Sequence, residues 1–240
     1  MVPINKIFGE ASGMNHFTWF YRIEHADTGE DLYPRLRRHV RLFPLLHPPL
    51  VRYCFKKYDL YPTSTDSHIG EYLPFAHRVN RWGFPYHKFF RREGELRNHL
   101  TTAYARGMFA LPAHLLPESG ELPLPIIEAM VTGERTYLRN VAAPNRGCVP
   151  NLPDGAMVEV AAYTDGNEIK PEVVPPMHEP LAEIIRTQSE IQSLVVDAAC
   201  NGDRDLAFQA LLKDPMTPNP GAARKIFDEL YRLQREFLPF

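Results

Sequence analysis

The segment from Pro180 to Ala199 carries apolar side chains at Leu181, Ile184, Ile185, Ile191, Leu194, Val195 and Ala198, the spacing of one face of a long α-helix. A helix with such a stripe must bury it against a second layer, so the rest of the chain has to supply that layer. Much of the rest is also helical in pattern. Leu32, Leu36, Val40 and Phe43 share one face of a segment from Leu32 to Phe43, with Arg35, Arg37, Arg38 and Arg41 on the solvated side. Leu50 to Tyr58 resumes a helical pattern, residues 88 to 107 are charged and helix-compatible and end at Gly107, and Gly221 to Phe237 makes the last helix. Pro123 to Thr132 places Leu124, Ile127 and Val131 on one face and Glu128 off it, and Gly133 stops it. Asp203, after Gly202, reads as the cap of a further helix.

Three stretches read as strands: Phe17 to Ile23, Tyr137 to Ala142 and Met157 to Tyr163, the last two flanking a loop from Asn145 to Gly155. They are scattered rather than alternating regularly with helices. The expectation is an α+β fold over residues 1 to 240, helix-rich, with a small mixed or antiparallel sheet. No Gly-x-Gly-x-x-Gly follows a strand, so the phosphate cradle of a Rossmann domain is missing from this sequence.

With 240 residues, 44% of them hydrophobic, the chain can bury a sizeable core without cross-links. Its 27 Lys and Arg nearly balance 29 Asp and Glu, which argues against a nucleic-acid partner and for small polar ligands. Cys54, Cys148 and Cys200 are odd in number and widely spaced, which suits neither a disulfide framework nor a zinc cluster. Reduced thiols and the lack of a long apolar run lead to an expectation of a cytoplasmic chain with no membrane partner.

The stretch Ser12-Gly13-Met14-Asn15-His16-Phe17-Thr18-Trp19 sets an amide and an imidazole between large apolar residues. Gly13 allows close backbone approach, Asn15 offers an amide to a hydroxyl, and His16 offers a nitrogen to a metal. Local pattern alone favours a plainer role for His16, a core histidine bonded to backbone. In the same way, Asp66 suits an Asx turn or a helix cap and His68 a surface position. Asn145 and Arg146 can place an amide and a guanidinium at a pocket rim, or simply form a turn.

Gly-Met-Asn-His-Phe-Thr-Trp resembles the Gly-x-Asn-His-Phe-x-Trp signature of family 4 glycoside hydrolases, NAD- and manganese-dependent enzymes. Asp66-Ser67-His68-Ile69-Gly70-Glu71-Tyr72-Leu73-Pro74 resembles that family's Asp-x-His-x-x-Glu-Tyr/Phe-Leu-Pro segment. Asn145 to Pro153 with Val158-Glu159-Val160 is similar to its late Asn-x-Gly and Val-Glu-Val segments, and Ala207 to Pro215 resembles a helix end near its C-terminus. The order of the four segments is that of the family.

The resemblance implies the C-terminal half of such an enzyme, with a fold similar to the C-terminal domain of lactate and malate dehydrogenases. It implies cleavage of an O-glycosyl bond by oxidation at C3, removal of the C2 proton, elimination, addition of water and reduction. His16 is then the metal ligand for manganese or another divalent ion, and Asn15, His68, Asn145 and Arg146 are candidate substrate contacts. The base is Asp66 or Tyr72 according to branch, with Asp66 preferred. Arg78, Arg81 or Arg146 could meet a sugar carboxylate, and the substrate is expected to be an α-galacturonide or α-galactoside. NAD is expected to be bound mainly by an N-terminal Rossmann half, supplied by another chain or lost, leaving the isolated chain inactive. Apolar surface is then expected near Phe17 and Trp19 at the junction, with self-association into a homo-oligomer. The alternative is a non-catalytic folded remnant or an oligomerisation module.

Overall fold

The computed structural model describes residues 2–79, 86–110 and 122–239, with side chains from residue 94 onward in the second segment. The chain opens on a hairpin of β1 (Ile7–Met14) and β2 (Phe17–His25). Its turn has only two residues between the paired Met14 and Phe17, namely Asn15 and His16. The sequence explains so tight a turn. Asn15 sits at φ 50°, a left-handed conformation that asparagine tolerates better than most residues. Gly13 lets the strands close, because a Cβ there would lie 2.3 Å from the Phe17 carbonyl oxygen and 2.6 Å from the Thr18 Cα.

Next come α1 (Tyr33–Leu42), α2 (Pro49–Tyr58), the short β3 (Tyr61–Pro62), and two single-turn helices, α3 (Asp66–Ile69) and α4 (Ala76–Val79). Helices α5 (Tyr86–Ala105) and α6 (Pro123–Thr132) precede β4 (Thr136–Pro144), β5 (Met157–Thr164) and β6 (Ile169–Pro171). Three helices finish the chain: α7 (Glu179–Asn201), α8 (Arg204–Lys213), capped by the Asp203 side chain as expected, and α9 (Pro220–Gln234). The strands form one sheet in the order β3-β2-β1-β5-β4, with β6 also on β5, and every pairing is antiparallel. The fold is therefore helix-rich α+β, and of the two sheet types expected it is the antiparallel one.

The main core lies where the hairpin meets α2, α7 and the β4–β5 loop. Phe17 and Trp19 stand edge to face with ring centroids 5.2 Å apart, and Trp19 meets Tyr58 at 5.7 Å. Leu50, Leu73, Val149, Val158 and Leu181 close around them, all buried. Burying a side chain of this size contributes about 1.5–3 kcal/mol, so this cluster orders the hairpin and α7 together.

His16 stands in the hairpin turn, immediately before β2 begins at Phe17. Two expectations are corrected. Phe17 and Trp19 are 0% and 1% exposed, so they fill this chain's own core and offer no apolar junction surface. On α6 the stripe Leu124, Ile127 and Val131 is exposed. Contact with the buried Leu138, Val141 and Ala162 is made instead by Ile126 and by Leu122 just before the helix. Hydropathy spacing identified the helix, but sheet contact chose a neighbouring face. Among the described residues no helix is long and apolar enough to cross a membrane.

The cysteines give a direct check of this core. Burial pushes the Cys54 thiol up to about 12, and the buried Cys148 Sγ donates to Asn145 Oδ1 at 3.2 Å, whereas Cys200 is exposed. Only thiolate reacts with an alkylating reagent. At pH 8 the native protein is expected to take one adduct, at Cys200, with the other two cysteines reacting only in denaturant. Rapid addition of three adducts without denaturant, read by intact mass, would contradict this packing.

Candidate functional site

Sheet topology gathers three separated segments at one end of the sheet. β1 runs toward its turn at Asn15-His16, and Gly13 pairs with Glu159 near the start of β5, so the β4–β5 loop leaves the sheet at that same end. β3 is antiparallel to β2, and Thr63 N donates to the Thr18 carbonyl at 3.0 Å, which delivers residues 65–72 there as well.

The cluster that results contains His16, His68 and Glu71. One ligand atom from each lies within 4.8 Å of the others. The two imidazole rings meet edge-on, centroids 4.2 Å apart, and His68 Nδ1 stands 3.7 Å from Glu71 Oε1. That Nδ1 is buried and has no hydrogen-bond partner. Two imidazoles and a carboxylate form a nitrogen and oxygen donor set suited to a divalent first-row ion, and an orphaned buried nitrogen among them fits such an ion. Glu71 was read in the sequence only as part of a motif. Its spacing from His68, i to i+3 across a helical turn, is the signal that puts both on one face.

Beside this cluster, Asn15 Nδ2 donates to the Tyr72 hydroxyl at 3.0 Å. Tyr72 is buried against Phe17, ring centroids 4.9 Å apart. Burial raises its pKa above that of an ordinary phenol, and the Asn15 hydrogen bond works in the opposite sense.

Asp66 faces elsewhere. It is buried, and its two oxygens accept from the backbone N–H groups of Leu50 at 2.9 Å and Val51 at 2.8 Å. These are orphan donors in the first turn of α2, which starts with prolines and has no capping side chain of its own. Burial raises the carboxyl pKa, and the two amide bonds partly offset that rise. Asp66 thus caps a helix 15–16 residues earlier in the chain, whereas the local pattern points to a cap or Asx turn at its own position; the N-cap of α3 is Thr65.

Asn145 is also turned inward. It is fully buried, its Nδ2 donating to the carbonyls of Val149, Leu152 and Pro153 at 2.9–3.1 Å and its Oδ1 accepting from Val149 N at 3.0 Å. Arg146 beside it is exposed, on an open concavity bounded by Pro144, Gly147, Asp154 and Gly155. Arg78 is exposed on α4, and Arg81 lies outside the described residues. The structure thus brings Asn15, His16, His68 and Tyr72 together, with Glu71 added, and sets Asp66 and Asn145 into backbone-binding positions.

This fold is shared with solved glucosidases. It superposes with TM-score 0.72 on a 6-phospho-alpha-glucosidase from gut microorganisms in complex with NAD and Mn2+, at 21% identity over 98% of this chain and 56% of that one. A 6-phospho-beta glucosidase from Thermotoga maritima, with manganese, NAD+ and glucose-6-phosphate, gives the same TM-score at 19% identity over 98% of this chain and 55% of that one. Residues 11–217 match the family 4 glycosyl hydrolase C-terminal domain, and the chain belongs to that family. Among its relatives are an alpha-galactosidase of Rhizobium meliloti (strain 1021), 28% identical over 95% of this chain, and an alpha-galacturonidase of Thermoanaerobacterium saccharolyticum (strain DSM 8691 / JW/SL-YS485), 26% identical over 99%. The chain covers 50% and 55% of these two proteins, so it spans about half the length of the relatives it matches.

Proposed function

We propose that the chain is the substrate-side half of an NAD- and manganese-dependent glycosidase that cleaves an O-glycosyl bond of an α-galactoside or α-galacturonide by oxidation, elimination, addition and reduction. Family membership supports the glycosidase class, and the galactosidase and galacturonidase relatives support the sugar. The observation that carries the reading is the convergence of Asn15, His16, His68 and Tyr72 at one end of the sheet. A divalent ion bound at His16 would act as a Lewis acid toward sugar oxygens. The described residues, on an all-antiparallel sheet, do not by themselves fit a nicotinamide dinucleotide, and no hydride step is assigned to any of them.

In this reading the Asn15 amide and the His68 ring orient the sugar hydroxyls, and Tyr72 takes the C2 proton on its phenolic oxygen. Tyr72 is preferred to Asp66 because its hydroxyl adjoins the histidine pair through Asn15, while both Asp66 oxygens already bind α2 amides. A phenol with a raised pKa needs nearby positive charge to act as a base near neutral pH, and a divalent cation held by His16 would supply it.

Exchange of the sugar C2 proton with deuterated water tests this reading. The isolated chain is expected to show neither exchange nor turnover. Assembled with the amino-terminal half of the Bacillus subtilis (strain 168) alpha-galactosidase, a relative 27% identical to this chain, it is expected to show both. Tyr72→Phe should then lower exchange by about 10²-fold or more, with binding of the sugar largely kept. Full exchange in Tyr72→Phe together with its loss in a folded Asp66→Asn variant would return the base to Asp66.

A further inference from the structure

We propose that His39, His47 and Tyr61 form a proton-sensitive latch. It holds the connection between α1 and α2 to both α1 and β3 while the histidine pair carries at most one proton, and it lets go when both rings are charged.

The first ground is geometry. His39 lies in the last turn of α1, His47 follows the 3-10 turn at Pro44–Leu46, and Tyr61 opens β3. Their side chains make one continuous ladder. His39 Nδ1 stands 3.0 Å from His47 Nε2, and His47 Nδ1 stands 2.8 Å from the Tyr61 hydroxyl oxygen. All three residues are half-buried, and the Tyr61 ring stands edge-on to the buried Phe55 with centroids 5.3 Å apart. Because β3 leads into residues 65–72 at the candidate site, the ladder also ties the start of that segment to α1.

The second ground is a count of protons. A hydrogen bond between two imidazole nitrogens needs one N–H and one lone pair. With no extra proton, or with one, the two facing nitrogens supply that combination, and His47 Nδ1 meets the Tyr61 hydroxyl as donor or as acceptor. A second proton sets N–H against N–H at 3.0 Å and brings two positive rings to a centroid distance of 5.2 Å. The bond between the histidines is then lost.

The third ground is the charge around the pair. Residues 33–58 hold seven Lys and Arg and no Asp or Glu. Arg52 of α2 acts on His47 from one side and His39 of α1 from another, while β3 presents only the Tyr61 phenol. Burial first, then the charges of His39 and Arg52, hold His47 below the ordinary histidine range. Asp66, the carboxylate that acts on Tyr61, is already held by the Leu50 and Val51 amides. The folded pKa of His47 therefore lies below its unfolded value of about 6.5. The unfolded chain binds the proton more tightly, so the stability that His47 contributes is complete above that value and is lost as pH falls from it through the folded pKa.

NMR of the imidazole nitrogens in the full chain, titrated from about pH 8 to about pH 4.5, tests the latch. His39 and His47 are expected to take up protons in two steps about one unit or more apart. The second readout is hydrogen-exchange protection of the Leu46 and His47 amides, which donate to the Phe43 and Pro44 carbonyls at 3.1 and 3.3 Å. It should fall about 10-fold across the second step, the effect of losing one hydrogen bond. His47→Gln and His39→Gln each keep a side-chain amide that donates and accepts but does not titrate, so protection should no longer follow that step. Tyr61→Phe cuts only the outer bond and should keep both steps. Circular dichroism verifies that each variant is folded, and the titration of the unaltered chain needs no variant at all. Histidines that titrate independently in overlapping single steps would overturn the latch. So would an acid loss of protection that persists unchanged in both glutamine variants. No readout here uses glycoside turnover, so the result stands apart from the glycosidase reading.

Discussion

Asn145→Asp is expected to destabilise the fold by about 4 kcal/mol or more, enough to leave little folded protein at 37 °C. The native amide is the hub of the β4–β5 loop, where one NH2 group serves three carbonyls and one oxygen receives the Val149 amide and the Cys148 thiol. An aspartate of the same shape replaces the donor by an oxygen facing three carbonyl oxygens, in a position with no solvent access. Ionised, it is an unpaired buried charge; protonated, it can donate to one carbonyl and leaves two without a partner. Asn145→Ala removes the same bonds without adding charge, and its expected cost is about 3 kcal/mol. Urea denaturation followed by far-UV circular dichroism measures both. An Asn145→Asp chain within about 1 kcal/mol of the unaltered one would mean that the loop is not held by this side chain. The same experiment bears on function, since a residue that contacted sugar from a pocket rim would tolerate substitution and lose only affinity.

Much of the fold was legible because its signals are local. The periodicity of α7, the αL glycine after α6 and the Asp203 cap all act within one or two turns of chain. β1 was missed because its residues, Ile-Phe-Gly-Glu-Ala-Ser-Gly-Met, neither alternate nor carry β-branched side chains beyond Ile7. Its strand state comes from pairing along its length with β2 and touching β5, contacts set by chain segments far away in sequence. The same limit applies to the site. The motif around His16 and the run from Asp66 to Tyr72 stood out individually, but only the fold shows that His68 and Glu71 face His16. It also shows that Asp66, in the same short run, points back into the start of α2. One helical turn separates the two outcomes: residues 68, 71 and 72 lie toward the hairpin, and residue 66 lies beneath them.

Gly13→Val is the substitution expected to join stability and site most tightly. Any Cβ at this position lands 2.3 Å from the Phe17 carbonyl oxygen and 2.6 Å from the Thr18 Cα. These are backbone atoms of the partner strand and cannot swing aside, unlike the Phe20 ring that would meet a Cβ at Gly9. Relief requires the hairpin to open at Gly13–Thr18, two residues from the turn, which also strains the Gly13–Glu159 bridge to β5. The expected loss is about 3 kcal/mol or more, at or above the upper end for overpacking because backbone must move. The opening would carry Asn15 away from the Tyr72 hydroxyl and His16 away from His68, so divalent-ion binding by the assembled protein should fall in whatever folded fraction remains. Gly147→Ala supplies the contrast: φ there is 81° and nothing lies within 4 Å of an added Cβ. Only the left-handed backbone resists it, at a cost of about 1 kcal/mol, and divalent-ion binding should be untouched. Equal midpoints for the two variants in thermal denaturation, or normal divalent-ion affinity in Gly13→Val, would show that close approach of β1 to β2 does not position the histidine.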